Sequence, residues 1–421
     1  MENNSSIERG RNIPELRFSE FDGVSNYNKF IFDDIFLFST GKNIKQKEAS
    51  PDFEIPCVRY GELYHMYNEV ITEVINKTNL DQSELTFSNG DEILLPSAGE
   101  DPLDIGSASA LTLSNVAIGR TINILKPKKD NLYSQIYVSY YINQQLRKKI
   151  STLAKGVSIS NVYNSDLKKL TIVLPTPTEQ TKIATFLTTI DKRITLLEKK
   201  KIELEQYKKG VMQKLFSQTL RFKKEDGSDF PDWEVKKLGE VCEVQGGFAF
   251  KSSNFKNAGI PIIRISNISN TNNFIDISNM VFYDEIENAE NYTIHKGDLL
   301  IAMSGATTGK TSIYNLDEFS YVNQRVGLFK SISIKLFYPF ITQYVLSFGF
   351  EKQLSLLLVA GAQPNISSND IESIKIPFPN KEEQQKIANF LSSIDKSIDN
   401  IANQIDNSVV FKRGLLQKMF V

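Results

Sequence analysis

The stretch Ser304-Gly305-Ala306-Thr307-Thr308-Gly309-Lys310-Thr311 is where this chain comes nearest to a phosphate-binding loop. Such a loop needs Gly-x-x-x-x-Gly-Lys-Thr opening a helix, so that backbone N–H groups cradle phosphate. Ser304 stands where the first glycine should be, and the following Ser312-Ile313-Tyr314 reads as strand. A glycine turn joining two strands is the better reading. The comparable stretch of the first half, Pro96-Ser97-Ala98-Gly99-Glu100, has no Gly-Lys-Thr at all. The chain also lacks the methyl-donor loop and the Asn/Asp-Pro-Pro-aromatic motif of an adenine methyltransferase. Only His65 and His295 could serve as general bases near neutral pH. Cys57 and Cys242 lie in different halves, which argues for a reducing, cytoplasmic setting and against a cysteine-based metal site. The expectation is a chain with no catalytic centre, no metal and no cofactor of its own.

Residues suited to another chemistry gather on probable loops. In the second half these are Lys251, Arg264, Asn267, Ser304, Thr307 and Lys310, then Gln324, Arg325, Gln363 and Asn365. Arg59, Ser97, Asn115, Arg120, Ser158 and Asn161 occupy comparable places in the first half. Arg and Lys read guanine, and Asn and Gln read adenine, in the major groove of DNA. Ser and Thr can anchor phosphates. Taken singly, each of these residues is more often a turn or surface residue than a base contact.

The formal net charge of −1 does not mark a nucleic-acid binder, but a sum hides distribution. Between Arg120 and Lys169, ten Lys/Arg against two Asp leave +8. Between Lys192 and Lys224, eleven Lys/Arg against three Glu again leave +8. No run approaches the ~20 apolar residues of a membrane span, and the first residues lack the pattern of a signal peptide. With 421 residues, two or three domains are expected.

The elements that must position these residues come in duplicate. Residues 178–216 match residues 382–420 without a gap at a shift of 204, with 16 identities in 39 positions, so the segment is duplicated. Fainter matches extend the repeat: Gly90-Asp91-Glu92-Ile93-Leu94 with Gly297-Asp298-Leu299-Leu300-Ile301, and Leu16-Arg17-Phe18 with Leu220-Arg221-Phe222. The Leu-Arg-Phe that follows the first duplicated segment thus has its counterpart near the N-terminus, as in a broken ring.

Each duplicated segment follows Pro-x-Pro, at Pro175-Thr176-Pro177 and Pro377-Phe378-Pro379, with acid in the first turn, which marks a helix start. Apolar residues recur every seven: Ile183, Ile190, Leu197 and Leu204, beside Leu187 and Ile194. That second register is broken by Lys201 and Lys208. The second copy runs Ile387, Ile394 and Ile401 beside Leu391, Ile398 and Ile405. Such heptads predict a coiled-coil seam, and about 39 residues at ~1.5 Å rise make a rod of roughly 58 Å. An intramolecular antiparallel pair is expected, which would place the two remaining blocks at opposite ends about a pseudo-two-fold axis. Packing of each rod on its own domain, or homodimerisation, is the alternative.

The fold class is therefore α+β: two mixed α/β blocks and two long helices, repeated. The domains are residues 1–175, a central helix 176–218, residues 219–377 and a C-terminal helix 378–421. Pro261–Ile265 and Asp298–Met303 read as strands, and Tyr133–Ile150 and Phe337–Leu358 have helical spacing.

The doubled pattern Leu/Ile-Pro-x-Pro, Glu-Gln-x-Lys-Ile-Ala-x-Phe-Leu, Ile-Asp, ending in Gln-Lys-Leu/Met-Phe, resembles the specificity subunit of type I restriction-modification systems. Gly246-Gly247-Phe248-Ala249-Phe250-Lys251 and Phe230-Pro231-Asp232-Trp233-Glu234 are also similar to that family. The resemblance implies two target-recognition domains, each reading one half of a bipartite asymmetric site in double-stranded DNA. It implies helices that set the gap between the halves and dock two modification subunits. Those subunits would supply adenine methylation with S-adenosylmethionine, and motor-nuclease subunits would supply ATP- and Mg²⁺-dependent translocation and cleavage. The first block departs from the pattern, having Thr40-Gly41-Lys42 in place of the Gly-Gly-Phe-Ala-Phe signature. A related system with fused partner subunits, or a coiled-coil adaptor that binds no DNA, are the alternatives. Salt-dependent DNA binding separates the adaptor from the rest.

Overall fold

The computed structural model describes residues 13–24, 27–156, 159–269, 272–360 and 365–421. The chain divides into two compact units, residues 1–198 with 403–421, and residues 199–402. The boundary cuts both long helices, Pro177–Phe216 and Lys381–Met419, so each unit contains one end of each.

In the first unit, Phe36–Thr40, Ile122–Pro127, Glu92–Pro96, Ser109–Leu111 and Val70–Ile71 form a five-stranded sheet in that order. A four-stranded sheet follows the order Lys77–Thr78, Ile55–Val58, Ser114–Ile118, Phe87–Asn89, with a parallel pair at its centre. Asn28–Ile31 pairs with Thr171–Leu174 beside the start of the long helix. In the second unit, Cys242–Gly246, Val326–Ser331, Leu299–Ala302 and Thr311–Ile313 form one antiparallel sheet. Val281–Tyr283, Ile260–Ile263, Ser320–Val322 and Thr293–Ile294 form the other, again with its central pair parallel. Glu234–Lys237 pairs with Lys375–Phe378. The two units therefore share one strand topology, to which the first adds Val70–Ile71 and the short pair Ala98–Gly99 with Ser160–Asn161.

The strand-like stretches expected around residues 262 and 300 are strands, and the glycine turn after Ala302 leads into an antiparallel partner strand, not a helix. The apolar stretch 133–150 forms Gln135–Tyr141 and Arg147–Ser151 joined through one π-helical turn, and 337–358 forms Tyr338–Val345 and Phe348–Ala360.

The long helices pack together, antiparallel within each unit. In the first unit Ile183, Leu187 and Ile190 share a core with Leu415, Met419 and Phe420. In the second, Val211, Met212 and Leu215 share one with Ile387, Leu391 and Ile394. Each cluster also includes residues of the neighbouring mixed block, Tyr137 and Ile172 in one and Phe340 and Ile376 in the other. The helix ends thus pack on their own domain as well as on each other. Ile194, Leu197, Leu204, Ile398 and Ile405, nearer the middle of the helices, are only half-buried, whereas Ile401 is buried.

Buried polar joints fix each helix start. Arg17 Nε and Nη2 donate to Glu179 Oε1 and Oε2, both at 2.7 Å, and the Tyr27 hydroxyl adds a third bond at 3.0 Å. In the second unit Arg221 donates to Glu383 at 3.1 and 2.9 Å, with the Trp233 indole donating at 2.8 Å. Gln180 and Gln384 each accept a backbone N–H, from Ser134 at 2.9 Å and Phe337 at 2.8 Å, and donate back to Pro175 and Pro379. These carboxylates and amides are buried, so the bonds offset a desolvation cost that would otherwise oppose folding. The Glu-Gln pair of the repeat is conspicuous in sequence for this structural reason.

Among the described residues no helix is long and apolar enough to cross a membrane.

Candidate nucleic-acid interface

In the second unit, both sheets send loops to one place. The Gly247 amide donates to the Val326 carbonyl at 3.2 Å and the Phe248 amide to Val322 at 2.8 Å. The Asn323 amide donates to Ile263 at 2.9 Å, and Gln324 to Phe248 at 2.9 Å. Met303 donates to Arg325 at 2.9 Å, and Ile366 donates to Met303 at 2.9 Å. Ser304 bridges Asn365, and the Thr307 hydroxyl donates to the Ile265 carbonyl at 2.9 Å. The loop 304–310, the turn 323–325, the start of 264–267, residues 247–248 and Asn365 are thereby brought together.

The first unit builds the same frame from different side chains. The Gly41 amide donates to Ile122 at 3.1 Å, Lys42 to Ile118 at 3.0 Å and Gly119 to Val58 at 2.8 Å. Arg120 donates to Asn43 at 2.9 Å, Ser97 to Thr121 at 2.8 Å, and Val162 to Ser97 at 2.9 Å. Five of these six bonds have their counterpart above, and Arg120 reaches one residue further along than Gln324 does, so the turn 119–121 corresponds to 323–325, Arg59 to Arg264, and Asn161 to Asn365. A glycine is required at the entry of both frames. A Cβ on Gly247 would clash with the Val322 carbonyl oxygen, and one on Gly41 with the Gly119 carbonyl oxygen. Gly41, which the sequence offers only within Thr40-Gly41-Lys42 and without the aromatic signature, thus takes the place of Gly247.

The candidate residues separate by what they are already doing. Arg59 Nε donates to Glu62 at 2.8 Å, and Glu62 also accepts the Arg59 amide. Arg264 Nη2 donates to the Asn279 carbonyl at 2.9 Å and its guanidinium lies over the Phe255 ring. Asn267 is buried, accepting from the Arg264 amide at 3.0 Å and donating to the Asp276 carbonyl at 2.9 Å, so its amide faces the fold and not a groove. Asn115 is exposed with φ +60° at the far end of its strand from the turn 119–121, apart from the other candidates. Asn161 pairs with Ala98, and its side chain turns back to Ile159 at 3.4 Å. Ser97 is half-buried and contributes through its backbone. Ser158 and Gln363 lie outside the described residues.

Arg120, Lys251, Lys310, Gln324 and Arg325 are exposed and form no ion pair among the described residues. Ser304 Oγ and Arg264 Nε are buried there without a hydrogen-bond partner. The second frame thus offers cations, amides and unsatisfied polar atoms side by side, an arrangement suited to phosphate and base-edge contacts and to no bond-making step.

Cys57 and Cys242 are buried, and burial pushes both thiols up to about 12, which suits inert core residues. Among the described residues no group of His, Cys, Asp and Glu could hold a metal ion.

The family model of the type I restriction modification DNA specificity domain matches residues 25–206 and 231–409. The chain is 30% identical over 305 residues to the type I restriction enzyme MjaVIII specificity subunit of Methanocaldococcus jannaschii, covering 70% of this chain and 72% of that one. It is 22% identical over 381 residues to the EcoKI specificity subunit of Escherichia coli (strain K12), covering 87% and 81%. The crystal structure of a type I restriction-modification system S subunit from M. genitalium aligns over 97% of this chain and 99% of that one, with a TM-score of 0.66 at 18% identity.

Proposed function

Since the chain belongs to the type I restriction-modification specificity family, as a non-catalytic DNA specificity subunit with two target-recognition domains, we propose that each domain reads one half of a bipartite site through its loop frame. One observation carries this reading: the same backbone frame is built twice and furnished with different exposed side chains. A constant frame holds the reader against the duplex, and the side chains on it choose the bases. Two unlike sets of side chains then select two unlike half-sites.

The subunit assembles with the other subunits of a type I restriction-modification complex. In our reading two modification subunits dock along the paired helices and the motor-nuclease subunits join through them, in the cytoplasm. Adenine methylation with S-adenosylmethionine, and cleavage with ATP and Mg²⁺, belong to those partners, and this chain needs no cofactor. The paired helices set the gap between half-sites.

Methylome sequencing of a host expressing this chain with its modification subunit tests the reading. The expected result is one asymmetric motif with two defined halves separated by a fixed run of unspecified bases. Binding to that site should weaken steeply as salt rises, as counterion release at phosphate contacts demands. A complex that assembles but methylates no bipartite motif, or binds DNA without salt dependence, would remove it.

A further inference from the structure

At the turns, the correspondence between the two frames pairs residues 204 apart, the same shift as the repeated helices. Gly119, Arg120 and Thr121 take the places of Asn323, Gln324 and Arg325, as four matched backbone bonds establish. In both turns the middle residue spends its amide on the frame, Arg120 on Asn43 and Gln324 on Phe248, each at 2.9 Å. Its side chain is exposed and carries no hydrogen bond or ion pair among the described residues. Of the neighbouring planar groups, Arg59 holds Glu62, Arg264 holds the Asn279 carbonyl and the Asn267 amide is buried. Arg325 is exposed, but its counterpart is Thr121, so the middle position is the one that carries a free planar group in both turns. The exposed lysines are compact point charges on flexible stems, suited to phosphates more than to the two-point pattern of a base edge.

We propose that Arg120 and Gln324 are equivalent base-reading residues, Arg120 selecting a guanine in one half-site and Gln324 an adenine at the corresponding place in the other. The pairing of residue and base follows from geometry. A guanidinium offers two parallel donors to guanine O6 and N7, whereas a carboxamide offers a donor and an acceptor to adenine N6 and N7. The proposal rests on the reading that each frame faces DNA, and it assigns the letter each frame reads at its tip.

The test is methylome mapping of the whole complex assembled with the wild-type chain, Arg120→Gln, Gln324→Arg and Arg120→Lys. Because only outward-facing side chains change and the backbone bonds stay, assembly should be retained. With Arg120→Gln, one half-site should exchange a guanine for an adenine, with the gap and the other half unchanged. With Gln324→Arg, the opposite exchange should occur in the other half. Arg120→Lys retains the charge and loses the planar fork, so preference for guanine at that position should fall by about 5- to 150-fold. An unchanged motif with Arg120→Lys and Arg120→Gln would make Arg120 a phosphate contact and overturn the assignment. Changes by both variants within the same half-site would overturn the equivalence. A wild-type complex that yields no bipartite motif would bring down the underlying reading itself, which separates the two failures.

Discussion

Lys208 donates to Asp395 at 2.6 Å from one long helix to the other, and Lys412 pairs with Asp191 at 2.7 Å, each partner displaced by the 204 residues of the repeat. The lysine that interrupts the apolar register at position 208 is therefore the means of fixing it. The carboxylates are held in turn, Asp395 by the Gln343 amide at 2.9 Å and Asp191 by the Tyr140 hydroxyl. Burial pulls the Lys412 ammonium downward in pKa, but Glu69 and Asp191 outweigh it and the net direction is upward, so the charge is kept. A charged pair in an apolar seam specifies which register and direction the helices adopt, since any slip leaves a desolvated charge alone.

Lys208→Met should destabilise the second unit by about 2 kcal/mol, because Asp395 loses its charge-assisted hydrogen bond. The double variant Lys208→Met with Asp395→Leu should recover most of that loss. Urea unfolding of the wild type, the double variant and both singles, Asp395→Leu included, gives the coupling directly. A double variant as unstable as the sum of the singles would show that the pair fixes nothing.

Trp233 is the chain's single tryptophan, and its indole is bonded to Glu383. Its fluorescence therefore reports on the helix start of the second unit. Glu383→Ala should cost about 3–5 kcal/mol, as Arg221 is left without its carboxylate, and should shift the Trp233 emission. Glu179→Ala should cost a similar amount when followed by circular dichroism, with the native Trp233 emission unchanged.

Gly247→Ala and Gly41→Ala each push a methyl group into a backbone carbonyl oxygen that cannot move without breaking the frame. Each should abolish methylation at the target while leaving assembly with the modification subunit intact, as read by size-exclusion chromatography. Retained methylation at the native motif would show that the frame tolerates rearrangement.

Inserting seven residues after Leu197 and after Ile401 adds about 10 Å to each helix at ~1.5 Å per residue. If the helices set the gap, the preferred spacing should lengthen by about three base pairs, at ~3.4 Å each, with both half-sites unaltered. Methylome mapping reads both quantities at once. Altered half-sites with a constant gap would contradict the role proposed for the helices.

Both thiols sit near 12 where an ordinary one titrates near 9.0, so their thiolate fraction at neutral pH is lower by about a thousandfold. Alkylation by iodoacetamide at pH 8 should be negligible in the folded protein and rapid in urea. Labelling in the native state should rise with pH as the thiols ionise. Fast native labelling at pH 8 would mean that these cores open readily.

The duplication, both helices and their antiparallel pairing could be read from the sequence because each leaves a periodic or repeated signal. The roles of the polar candidates could not. Asn267 and Gln324 are both loop amides in sequence, yet one is consumed by the Arg264 amide and the Asp276 carbonyl while the other is exposed. Lys208 read as a flaw in the heptad because Asp395 lies 187 residues away. Thr40-Gly41-Lys42 could be seen to replace the signature, but the need for a bare Cα at Gly41 arises from the carbonyl of Gly119, which only the folded sheet brings near. In each case the deciding partner is distant along the chain, where local pattern carries no information.

The Leu16 amide donates to the Lys418 carbonyl at 2.8 Å, just as Leu220 donates to Lys214 at 3.1 Å. Each mixed domain is thus entered through one and the same splice, whether or not a peptide bond happens to cross it. Genetic exchange within the repeated helical sequence would replace an entire reader and leave both seams intact. New specificities become available by shuffling cassettes, with no need to remodel a core.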